Sequence, residues 1–195
     1  MEENPPPTTP TPLPSGPSGI RGFLARFDWR IWKRVFITFL LLTLVIIAVG
    51  STMTLSGQQI NEIQQNLERM LPKSPDALFI FRNNFSIASL MLVPGLGVAA
   101  GLFILFDTGL AITTLATPTN IPGILIFLGL LILPFSWLEF FAYSSAMTQS
   151  VLLTLALVRR RGVKKELIRT GIVWAGMFVV LLAAALIEAL FIRPA

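Results

Sequence analysis

The sequence predicts an all-α fold: a polytopic transmembrane helical bundle with about five hydrophobic segments, including a short helical hairpin. Three observations carry this. Of the 195 residues, 54% are hydrophobic and only 13% are charged, about half the charged share of a soluble domain. The charges are unevenly placed and leave several apolar runs long enough to cross a bilayer. The bases gather beside those runs, so a formal net charge of +5 suits positive-inside topology better than nucleic-acid binding. No Cys and no His are present, which excludes disulfides, thiol chemistry, Cys/His zinc sites and histidine acid–base catalysis.

Residues 1–19 hold seven prolines and almost nothing apolar, which predicts a disordered, cytoplasmic, partly extended tail. From 20 to 34, Phe23, Phe27 and Ile31 recur at helical spacing among Arg21, Arg26, Arg30, Lys33 and Arg34. With Trp29 and Trp32 this reads as a basic amphipathic segment on the cytoplasmic face, or simply as the positive flank of the first span. Either reading puts this end inside. The first span is expected over 35–55. Its Ala48-Val49-Gly50 resembles a cleavage site, but the leader is too long and further spans follow.

Residues 57–71 place Ile60, Ile63, Leu67 and Met70 on one face of a helix, opposite Gln, Asn and Glu. Pro72 and Pro75 close it. This is expected to lie outside the membrane. A second span is expected over 81–106, bent at Pro94-Gly95, with Gly97 and Gly101 forming a GxxxG packing pair. Asp107 would then stand at its cytoplasmic end, as a helix cap or beside Arg159–Arg161.

The next apolar run, 122–135, has 14 residues, roughly 21 Å of helix, short for a full crossing. Pro134 breaks it before a segment expected over 136–158, giving a hairpin of either two spans or one span plus a re-entrant half-helix. Residues 159–169 carry six bases and one acid, the strongest topological marker in the chain. With both basic clusters inside, the last span, 170–192, runs outward.

This topology gathers polar residues that the linear sequence keeps apart. Arg82, Asn83 and Asn84 begin a descending span, Glu139 begins another, and Glu188 sits near the outer end of the last. A charge at mid-membrane costs roughly 2.5–3.5 kcal/mol on insertion scales. The expected solution is a polar cluster of all five, with Arg82 paired to Glu139 or Glu188; the alternative is that each reaches interfacial water by itself.

The order of features then resembles the stage II sporulation protein M family of integral membrane proteins, over roughly 35–194. The residues that carry the resemblance are Leu133-Pro134 followed by Glu139 and Ala142, and Ala185-Leu186-Ile187-Glu188-Ala189 in the terminal span. Phe135 and Ser136 stand where that family commonly has His and Gly, and Thr108-Gly109 where Asn-Gly is usual, so no chemistry resting on that His is carried over. The resemblance implies a non-enzymatic membrane scaffold that assembles with other proteins, in the founding case with peptidoglycan-degrading enzymes.

Three functional classes follow. An enzyme has the least support, because no intramembrane Ser–His or Ser–Lys arrangement or paired aspartates can be drawn. A transporter or permease component would use Glu139 as its ion-binding group and Pro94, Gly95 and Pro134 as helix breaks. Lacking a nucleotide motif, it would need a separate ATPase. A scaffold or assembly factor needs packing and docking faces, which the glycine pair, the external helix and the basic segments supply. The scaffold is the favoured reading. It calls for no cofactor, metal or nucleic acid. Its expected partners are the bilayer and other membrane or envelope proteins, an ATPase or a wall hydrolase among them, with a homo-oligomer as a further option.

Overall fold

A computed structural model of the chain describes residues 29–70, 72 and 75–192. The expected tail over 1–19 and most of the basic segment over 20–34 lie outside them. The described residues form helices and no strand: α1 (Trp29–Ser51), α2 (Gly57–Met70), α3 (Ala77–Met91), α4 (Gly97–Ala116), a 3₁₀ turn (Thr117–Thr119), α5 (Gly123–Leu130), α6 (Pro134–Arg159) and α7 (Val163–Ile192). Four stretches, 29–51, 97–119, 134–159 and 163–191, are long and apolar enough to cross a membrane.

Local chemistry sets the element ends. Ser56 and Gln59 form a reciprocal capping box at the start of α2, with the Ser56 amide donating to Gln59 Oε1 at 2.9 Å. The Asp76 carboxylate accepts from the Phe79 amide at 2.7 Å and starts α3. Pro134 occupies the first turn of α6 behind an extended Leu133, where its missing N–H costs nothing and its ring disfavours helix in the preceding residue. It starts a helix here. Arg160 and Gly162, both with positive φ, turn the chain from α6 into α7.

Helix α6 is the axle of the bundle. Of its apolar window 61% is buried, against 22–28% for the other three long stretches, and it packs on α1, α3, α4 and α7. The Arg169 guanidinium lies over the Trp29 ring, 5.4 Å from its centre. That contact brings Arg30, Lys33 and Arg34 to the same end of the bundle as Arg159–Arg161, Lys164 and Lys165. We call this the basic end. The parity expected from the two basic clusters therefore holds within the fold.

The interior pairings trace the path between those clusters. Helix α3 runs alongside α6 toward the basic end, with contacts at Asn84–Glu139, Val93–Ser150 and Gly95–Thr154. The chain then reverses. A Cβ on Gly97 would meet the Met91 carbonyl and Ser150 Oγ, whereas one on Gly109 would meet Ile47 and Gly50 near the far end of α1. So α4 returns antiparallel to α3. The expected span over 81–106 is thus divided between two helices joined by a hairpin. Pro94 lacks the amide needed to continue α3, and Gly95 at φ +80° supplies a turn that an L side chain resists. The Gly95 amide is held by Thr154 Oγ1 at 2.8 Å.

The segment over 122–135 also differs from expectation. Its own helix covers only 123–130, residues 134 and 135 already belonging to α6, and Gly123 packs against the Ser51 carbonyl and Thr113 at the far end. It caps that end, and its return from 131 to 133 leads straight into α6. Five helices run between the two ends of the bundle, α1, α3, α4, α6 and α7, of which α3 is not among the four stretches long and apolar enough to cross a membrane. Helix α3 has 15 residues, about 22 Å of helix.

Candidate functional site

At the end of the bundle opposite the bases, three helices contribute one polar side chain each. Asn84 on α3 donates its amide to Glu139 Oε1 on α6 at 2.5 Å. Glu188 on α7 stands within electrostatic range of the Glu139 carboxyl. Tyr143, one turn below Glu139, is buried and stands within electrostatic range of both carboxyls. Glu139 and Glu188 are themselves only partly buried. Asn84, Glu139 and Glu188 thus lie at one end of the bundle, on α3, α6 and α7.

The other two expected members stand apart. Arg82 is exposed and makes no ion pair to Glu139 or Glu188 among the described residues. The reason is helical phase: positions 82 and 84 are about 200° apart around the axis, so only one of them can face α6. Asn83 is exposed and donates to Asn84 Oδ1 at 3.2 Å. Asp107 also departs from expectation. Because α4 runs away from the basic end, Asp107 lies toward the far end, two residues before the Gly109 contact with Gly50. It is exposed there.

A second polar assembly lies nearer the basic end. Gln149 Nε2 donates to Thr170 Oγ1 and Glu166 Oε2 at 3.1 and 3.2 Å. Glu166 accepts from Arg169 at 3.2 Å, and Arg169 is 3% exposed. Between the two assemblies, Thr43 and Ser144 share a hydrogen bond of 3.3 Å linking α1 and α6, and next to Gln149, Ser150 donates to the Val93 carbonyl at 2.7 Å. In the sequence, 159–169 reads only as a topological marker. The i, i+3 spacing of Glu166 and Arg169 is the signal that points to an internal pair.

Close helix approach uses more glycines than the expected pair. Gly97 and Gly101 pack on Met91, Met147 and Ser150. Gly50 and Gly109 cross backbone to backbone: a Cβ on Gly109 would stand 2.5 Å from the Ile47 carbonyl oxygen. No sequence spacing reveals that pairing, since the two residues sit on different helices.

An open cavity of about 320 Å³ lies at the far end, lined by Ser51, Thr113, Thr117 and Gly123 among others and by no charged side chain. Among the described residues no group of three or more His, Cys, Asp or Glu is placed to hold a metal ion. Chemically, the site is a set of inter-helix ties.

In comparison with known proteins, the family model described as SpoIIM, Stage II sporulation protein M, matches residues 35–192. No curated protein and no solved structure matches the chain.

Proposed function

The chain belongs to the stage II sporulation protein M family, and on that premise we propose that it is a non-enzymatic scaffold of the cell membrane that recruits partner proteins. The observation that carries this reading is the use made of the polar side chains in the bundle. Asn84, Glu139, Ser144, Gln149 and Ser150 each tie one helix to another, and none of them lines the open cavity. A substrate path would instead present such groups to a continuous polar space. Here they fix the relative positions of the helices, which is what a docking platform requires.

Two regions outside the core suit recruitment. Helix α2 has no buried residue, and its Gln- and Asn-rich face is turned away from the bundle. The basic end presents Arg159, Arg160, Arg161, Lys164 and Lys165, all exposed. With those bases on the cytoplasmic side, the amino end is cytoplasmic and the carboxyl end external, placing α2 outside the cell. A wall hydrolase would be met there and an ATPase on the opposite face.

The short, broken α3–α4 hairpin favours one second reading, a permease component working with a separate ATPase, because discontinuous helices commonly surround transported ions. Purification of the full chain from its native membrane, followed by reconstitution in proteoliposomes, decides between them. Stable partner proteins without ion flux support the scaffold. Flux that disappears in Glu139→Gln overturns it.

A further inference from the structure

Two opposite charges on the outside of the bundle are left without a partner. Asp107 and Arg82 are both exposed, and neither has an ion pair or hydrogen-bond partner among the described residues. Each interrupts an exposed stripe at i, i+4 spacing. On α4 the stripe runs through Ala99, Phe103, Asp107 and Leu115; on α3 it runs through Leu78, Arg82, Ser86 and Leu90. The α4 stripe belongs to a stretch long and apolar enough to cross a membrane, where an outward-facing carboxylate on a short side chain is costly and cannot reach far for water.

The two groups also share a depth. Asn84 meets Glu139, Ser144 meets Thr43, and Gly50 meets Gly109. Counting along the helices between those contacts at about 1.5 Å per residue puts Arg82 and Asp107 within about one turn of the same level. Within one chain they do not meet. A rotation about an axis normal to the membrane preserves depth, so the same two residues on neighbouring copies come to one level. A two-fold arrangement uses both pairs at once.

We propose that a second copy of this chain docks on the exposed faces of α3 and α4, with Arg82 of each copy paired to Asp107 of the other. The small side chains of Ser86 and Ala99 in the two stripes suit close helix approach. The pairing removes two uncompensated charges per contact, a stronger reason for association than the apolar stripes alone, since lipid covers apolar side chains equally well. This inference goes beyond recruitment of other proteins and is tested separately from it.

The test uses the full chain in lipid nanodiscs, with copy number read by native mass spectrometry over a dilution series. Wild type is expected to be dimeric. The charge-removing changes Asp107→Asn and Arg82→Gln are each expected to weaken self-association by roughly tenfold. The exchanged chain, Arg82→Asp with Asp107→Arg, recovers it, whereas Arg82→Asp alone does not. The absence of cysteine permits a check that does not depend on stability: co-expressed Arg82→Cys and Asp107→Cys chains form a mixed disulfide in native membranes. A monomeric wild type, a dimer indifferent to all of these changes, or an Arg82 that retains only anionic lipid in place of a second copy overturns the proposal. A dimer that forms normally in a preparation lacking other partner proteins supports the proposal and leaves recruitment to its own test.

Discussion

Asn84 and Glu139, 55 residues apart in sequence, are joined by a hydrogen bond from amide to carboxylate that ties α3 to α6. It is the contact that positions a short helix against the axle of the bundle. Replacement of Asn84 by Ala leaves the carboxylate short of a donor in a partly buried site. The expected loss is about 1–2 kcal/mol, read as a lower midpoint of thermal unfolding in detergent. An unchanged midpoint would remove this contact from any account of stability.

The Gly50–Gly109 crossing makes a sharper prediction. Backbone atoms, not flexible side chains, occupy the space that a Cβ would need at either residue. Gly109→Leu must push α1 and α4 apart, at a cost of about 3 kcal/mol or more. Gly129→Leu serves as the control, because nothing lies within 4 Å of a Cβ there. Equal expression and unfolding of the two variants would sink the argument.

At Gly95 the φ of +80° distinguishes two substitutions. Gly95→Ala is expected to cost about 1–2 kcal/mol, and Gly95→Asn less, because Asn tolerates the left-handed region better. Thr154→Val, which removes the acceptor for the Gly95 amide, should cost about 1 kcal/mol by itself. Chemical unfolding of the three variants checks the ranking.

Arg169 and Glu166 test the assembly near the basic end. Arg169→Met leaves the Glu166 carboxylate without its partner in a mostly buried position, an expected loss of about 3–5 kcal/mol. Combining Arg169→Met with Glu166→Leu removes both charges and is expected to recover most of that loss. A double variant no better than the single would mean that the pair acts through something other than its buried charge.

The sequence makes some of this legible and hides the rest for identifiable reasons. Uneven charge announces the helices, and the two basic clusters announce their common end. The depth of Asn84, Glu139 and Glu188 follows from chain direction, because polar residues near span ends share a level whatever the lateral packing. The α3–α4 reversal does not follow. A Pro-Gly pair inside an apolar run is compatible with a kink or with a turn, and the difference here lies in contacts such as Gly97 with Met91 and Ser150. Without that reversal, Asp107 falls at the wrong end. The overall parity survives, because a run from 122 to 135 taken as a crossing makes up for the missing turn, whereas α5 only caps the far end. Arg82 is misplaced for a smaller reason: shared depth says nothing about which way a residue faces around its helix.

The hairpin between α3 and α4 also bears on how the protein is made. Helix α3 is short and carries Arg82, Asn83 and Asn84, so it is a poor candidate to leave the translocon by itself. The groups that hold it in place, Glu139, Ser150, Thr154, Trp174 and Phe178, are all synthesised after it. A nascent chain ending before α6 can hold α3 only through its packing on α4. Insertion of this passage is therefore expected to wait for the downstream helices, and the amino-terminal part of the protein acquires its final topology only as translation nears its end.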